Sequence, residues 1–74
     1  MFKGRDVSFE ELLQLEAHVK RRLDGRVRQL HLSLQDSGII LRGTSTSYYG
    51  KQLAQHAAME LTELPILANE IQVE

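Results

Sequence analysis

Leu30-His31-Leu32-Ser33-Leu34-Gln35-Asp36-Ser37-Gly38-Ile39-Ile40-Leu41 is the stretch that decides the fold. Leucine at every second position, alternating with polar residues, is the pattern of a strand with one face on a core. Asp36-Ser37-Gly38 is turn chemistry, and Ile39 and Leu41 then alternate with Ile40 and Arg42 up to Gly43. The stretch therefore reads as a β-hairpin whose first strand covers 27–35.

Working outward, Ser8 followed three residues later by Glu11 is a capping box, and Val7 with Leu12 stands at hydrophobic-staple spacing. A helix is expected from Phe9 to Asp24, with Leu12, Leu15, Val19 and Leu23 along its buried stripe and Leu13 and Ala17 widening it. Gly25 supplies a residue able to take the left-handed stop conformation. Beyond the hairpin, Thr44-Ser45-Thr46-Ser47 is a polar loop whose last serine can cap a second helix, with Leu53, Ala57, Leu61 and Leu64 as its stripe. Pro65 is expected to end that helix, because the residue before proline is pushed out of helical geometry. Ile66 to Val73, with Leu67, Ile71 and Val73 apolar, then reads as a third strand.

The order αββαβ predicts an α/β fold of the α+β two-layer type, a three-stranded mixed sheet with both helices on one face. A right-handed crossover makes the third strand parallel to the second. The opposite sheet face is expected to carry His31, Ser33, Gln35, Ile40, Arg42, Glu70 and Gln72, a polar set apart from Ile40. Residues 1–74 are expected to form one domain, since a chain this short buries only about 60% of its unfolded surface, and 1–7 a flexible lead-in. Without cysteine there is no disulfide, thiol nucleophile or thiolate metal site, so the core holds the fold without staples.

From Leu30 to Val73 the chain resembles the BON family, small αββαβ domains of bacteria. That family shows a strand of alternating aliphatics, an Asp-Gly turn, aliphatic-x-Leu-x-Gly, a capping serine, a helix with a buried alanine, and Gly-Val-x-x-Val-x-Asn-x-aliphatic-x-Val. Here Asp36 begins the turn, Ile39, Leu41 and Gly43 match the second strand, Ser47 the cap, Ala54 and Ala58 the helix face, and Leu64, Leu67, Asn69, Ile71 and Val73 the closing strand. Ser37 stands at the usual turn glycine, with Gly38 one place later, and Glu63 stands at the glycine before the last strand. The resemblance implies a non-catalytic interaction module, associated in that family with phospholipid or surface binding at the cell envelope. The start Met1-Phe2-Lys3-Gly4-Arg5-Asp6 lacks the apolar segment of a secretory signal, and no stretch reaches membrane-span length. From those residues alone the chain is expected to stay in the cytoplasm.

The net charge of -1 gives no global case for nucleic acid, but charge is unevenly placed. The region 1–42 is mildly basic, whereas 43–74 holds only Lys51 against Glu60, Glu63, Glu70 and Glu74. Lys20-Arg21-Arg22 with Arg26 and Arg28 form the densest basic run and are the candidate contact with an anionic phospholipid surface. The plain explanation is that cations complement a helix C-terminus, and Asp24 lowers the charge of the run. Tyr48 lines up with Gln52, Gln55 and Met59, and with Ile40 this stripe is the candidate surface for a homo-oligomer or a protein partner. Tyr49, in line with Leu53 and Ala57, is expected to close the edge of the core.

His18, His31 and His56 fall on three elements without ligand spacing, so no metal is expected. Capping and turn roles explain the serines and threonines of 44–47, and no Ser-His-Asp arrangement can be assigned. No catalytic residue and no cofactor is expected. The element order is shared with RNA-binding KH-type domains, yet their Gly-x-x-Gly clamp is absent. The alternative to a self-contained module is an accessory or regulatory domain whose partner chain supplies the chemistry.

Overall fold

The structure is a computed structural model that describes residues 8–74. Helix α1 spans Phe9–Leu23. Its capping box is formed: the Glu11 N–H donates to Ser8 Oγ at 3.1 Å while the Ser8 N–H donates to Glu11 Oε1 at 3.0 Å. The Val7 staple and the flexible lead-in over 1–7 lie outside the described residues. The left-handed stop falls on Asp24 (φ 51), whose N–H donates to the Lys20 carbonyl, with Gly25 (φ 84) following it. Leu15, Val19 and Leu23 are buried, but Leu13 and Ala17 are exposed, so the apolar stripe is narrower than the spacing suggested.

Strands β1 (Val27–Gln35) and β2 (Gly38–Ser45) form the hairpin, with Gln35 opposite Gly38. The two turn residues, Asp36 and Ser37, both have positive φ, 50 and 67, as a type I′ turn requires. Gly38 is needed for space: a Cβ there would overlap the Leu67 side chain. The pairing shifts register between Arg28 and His31, where Gln29 (φ 54) sits in a β-bulge. The bulge turns Val27 and Leu30 both inward. Gly43 accommodates it, since a Cβ there would stand 2.9 Å from Val27 Cγ1 and 3.0 Å from the Arg28 carbonyl. Leu34, at the end of β1 beside the turn, is left exposed.

Helix α2 spans Tyr48–Leu61 and is capped by Ser47, whose Oγ accepts the Gly50 N–H at 3.1 Å. Its buried face is Gly50, Ala54, Ala57 and Ala58; Leu53 and Leu61 are only partly covered. The expected stripe packs on the core, with Ala57 and Leu64 in it and Leu53 and Leu61 against it, while the innermost face is this small one, which brings the helix backbone close to the sheet: a Cβ on Gly50 would overlap Ser45 Oγ. Tyr49 is consequently 63% exposed and does not close the core. The helix ends at Thr62, ahead of Pro65. The Thr62 N–H donates to the Ala58 carbonyl and its Oγ1 accepts the Leu64 N–H at 3.1 Å, seating Leu64 in the core from the connecting segment.

The expected third strand is two strands, β3 (Ile66–Asn69) and β4 (Gln72–Val73), both parallel to β2. Asn69 breaks it. Its Nδ2 donates to the Lys51 carbonyl at 2.9 Å and to Gln55 Oε1 at 3.3 Å, and its Oδ1 accepts the Ile71 N–H at 3.3 Å. This local turn drops Ile71 into the core, while Leu67 and Val73 stay on the surface.

The sheet order is β1-β2-β3, with β4 also on β2, and both helices contribute to the one core with Leu30, Ile39 and Leu41. This is a mixed sheet under two helices, an α+β domain in two layers. Ser37 holds a left-handed conformation that costs an L residue about 1 kcal/mol. Ser37→Gly is expected to stabilise the chain by roughly that amount. Urea unfolding checks it, with a raised midpoint at unchanged slope.

Candidate functional site

Three of the five basic side chains of the run are paired with carboxylates. Lys20 pairs with Glu16 at 3.4 Å, Arg22 with Glu60, and Arg28 with Glu74 at 3.0 Å. Arg26 donates to the Leu23 carbonyl at 3.3 Å, completing the helix end. Among the described residues only Arg21 and Arg26 of the five make no ion pair. The exposed pairs of Arg22 and Arg28 contribute about 0–1 kcal/mol each, but all three pairs lower the field that would draw an anionic surface. A cleft of about 290 Å³ lies beside the run, with His18, Arg21 and Arg22 around an apolar floor of Leu61.

The second candidate surface is divided by the fold. Ile40 is 8% exposed, between Ser33 of β1 and Ala68 of β3 on the sheet face away from the core helices. It lies on the expected face, across the sheet from Tyr48 and Met59 on α2, but the expectation that it is unburied is corrected: it offers almost no contact area. Tyr48 is 63% and Met59 56% exposed, and the stripe through Gln52 and Gln55 joins them. Gln55 and Met59 also line a cleft of about 540 Å³ with Leu64, Pro65 and Ile66, so the stripe runs along the β3 border of the sheet. Leu67 on β3 is exposed too, but on the other sheet face, against Gly38.

His18, His31 and His56 are exposed on α1, β1 and α2. Among the described residues no group of three or more His, Asp and Glu side chains is placed to hold a metal ion. Arg42 and Glu70 pair at 2.9 Å on the polar sheet face, over a shallow cleft that Lys51 also lines. Among the described residues no helix is long and apolar enough to cross a membrane.

Sequence reasoning missed Glu16. Its side chain is 12% exposed, and its Oε1 accepts the Leu32 N–H of β1 at 2.9 Å. β1 is a border strand of the sheet, so this N–H points away from β2 and has no strand to bond. A carboxylate seated there closes the strand edge. Lys20 at 3.4 Å holds the charge in place, and its helical spacing from Glu16 was the only local signal. No protein-family model, curated protein or solved structure matches the chain.

Replacing Glu16 by Ala strands a covered N–H, which costs about 1–3 kcal/mol. Hydrogen exchange is expected to accelerate at Leu32 selectively in Glu16→Ala, and to stay slow in Glu16→Gln, which keeps an acceptor oxygen.

Proposed function

We propose that this chain is a non-catalytic interaction module of the BON type, and that it makes its contacts through the α2 side of the domain. The observation that carries the reading is the α2 stripe on which Tyr48 and Met59, two large side chains left more than half exposed, stand along one border of the sheet. Exposed tyrosine and methionine are residue types enriched in protein-binding patches, where burying such side chains from water supplies the affinity. The absence of any nucleotide-type glycine loop or acid–base constellation in the sequence agrees with a role in binding. BON resemblance over residues 30 to 73 adds a family in which small αββαβ domains serve as contact modules.

A second reading places the contact at the basic end of α1, on anionic phospholipid. It is favoured by the cleft in which His18, Arg21 and Arg22 surround Leu61, a cationic rim over an apolar floor. The ion pairs of Lys20, Arg22 and Arg28 weigh against it. Cosedimentation decides between the two. The α2 reading expects equal, low recovery with phosphatidylglycerol and phosphatidylcholine vesicles at low salt. Recovery that rises with phosphatidylglycerol, falls with salt and is lost in Arg21→Ala would move the function to α1.

A further inference from the structure

The two borders of the sheet are built differently. On β1 the Glu16 carboxylate occupies the outward N–H of Leu32, and the bulge at Gln29 distorts the strand further along. The carboxylate discourages another strand from pairing; a register shift is found on both borders, since β3 also shifts against β2 between Ile39 and Ile40. On the opposite border, β3 pairs with β2 on its inner side and with nothing on its outer side among the described residues. Its four residues, Ile66-Leu67-Ala68-Asn69, carry no charge. No side chain among the described residues donates to or accepts from its outward backbone.

Helix α2 packs over both β2 and β3 and presents its Tyr48–Gln52–Gln55–Met59 stripe along the same border. Charge is arranged along it too. Lys51 lies at the end near Asn69, and Glu63 at the end near Ile66. Neither makes an ion pair among the described residues.

We propose that two copies of this chain join through β3, antiparallel about a two-fold axis normal to the sheet, so that the two sheets become one and the two α2 helices pack side by side. The inference rests on the α2 reading of function and names its partner. A second copy fits for three reasons. Pairing β3 with β3 of the other copy opposes no like charges, since none of its four residues is charged. The two-fold carries each Lys51 toward the Glu63 end of the other copy, which makes the surface electrostatically self-complementary. The spacing also works: strands pair about 4.8 Å apart, and helices seated over β2 and β3 then approach to about 8–10 Å, the ordinary distance of packed helices. Leu67 and Met59, exposed on the two faces beside the border, are covered in one step.

Sedimentation velocity over a wide concentration range, on the full chain and three variants, tests this. The wild type is expected to dimerise, and Met59→Glu to raise the dimer dissociation constant on the order of tenfold or more, as loss of a central apolar contact does. Lys51→Glu weakens the dimer, and Lys51→Glu with Glu63→Lys restores it; circular dichroism shows each variant folded, since all three side chains lie outside the core. A wild-type monomer at every concentration overturns the dimer. So does a dimer indifferent to Met59→Glu, or a charge swap without restoration. A monomer that also ignores anionic vesicles overturns this inference alone, whereas anion-dependent vesicle binding overturns the α2 reading beneath it.

Discussion

The contact on which the rest depends is the approach of Gly50 to Ser45. Ser45 is buried at the end of β2, its Oγ donating to the Ser47 carbonyl at 2.7 Å and accepting the Ser47 N–H at 3.2 Å. That local loop presents the hydroxyl to α2 so closely that only a glycine fits opposite it. With Gly50 seated, Ala54, Ala57 and Ala58 follow onto the sheet, and the rotation of the helix about its axis is settled. Every exposed side chain of α2, from Tyr48 to Met59, has its direction from this one contact.

A helix lying this low also reaches the border of the sheet. The Lys51 carbonyl and Gln55 come within hydrogen-bonding distance of the Asn69 amide, and that amide in turn ends β3 and sends Ile71 inward. Asn69 thus joins three jobs: it ties α2 to the sheet, breaks the last strand in two, and places a core isoleucine. A short, uncharged border strand beside an exposed helix stripe is the outcome. The other border differs because α1 lies over β1 with a carboxylate at the right height, and a nine-residue strand left open there would invite unspecific pairing.

Features encoded by neighbours in the chain are legible in the amino-acid sequence. The Ser8–Glu11 capping box, the Ser47 cap, the alternation through Leu30 and Leu32, the turn at Asp36-Ser37 and the αββα order all depend on residues within a few positions of one another. The stripe from Tyr48 to Met59 is legible for the same reason, since helical spacing alone puts 48, 52, 55 and 59 together. Tyr49 and Ile40 depart from expectation because exposure depends on what lies across the space. A tyrosine one position from a glycine turns outward once the glycine takes the inner place, and an isoleucine set between Ser33 and Ala68 on the polar face is buried.

What the amino-acid sequence determined by itself is the set of elements, their order and their ends, because caps, turns and periodicity act through local backbone energetics. Tertiary structure alone decided the rotation of α2, the bulge at Gln29, the division of the last strand at Asn69 and the sealing of β1 by Glu16. Each of these pairs groups far apart in the chain, Glu16 with Leu32 and Asn69 with Lys51 among them, and depends on distances of an ångström or less. Periodicity reports which face of an element is apolar; only packing fixes how near two faces come, and so which side chains are left for a partner.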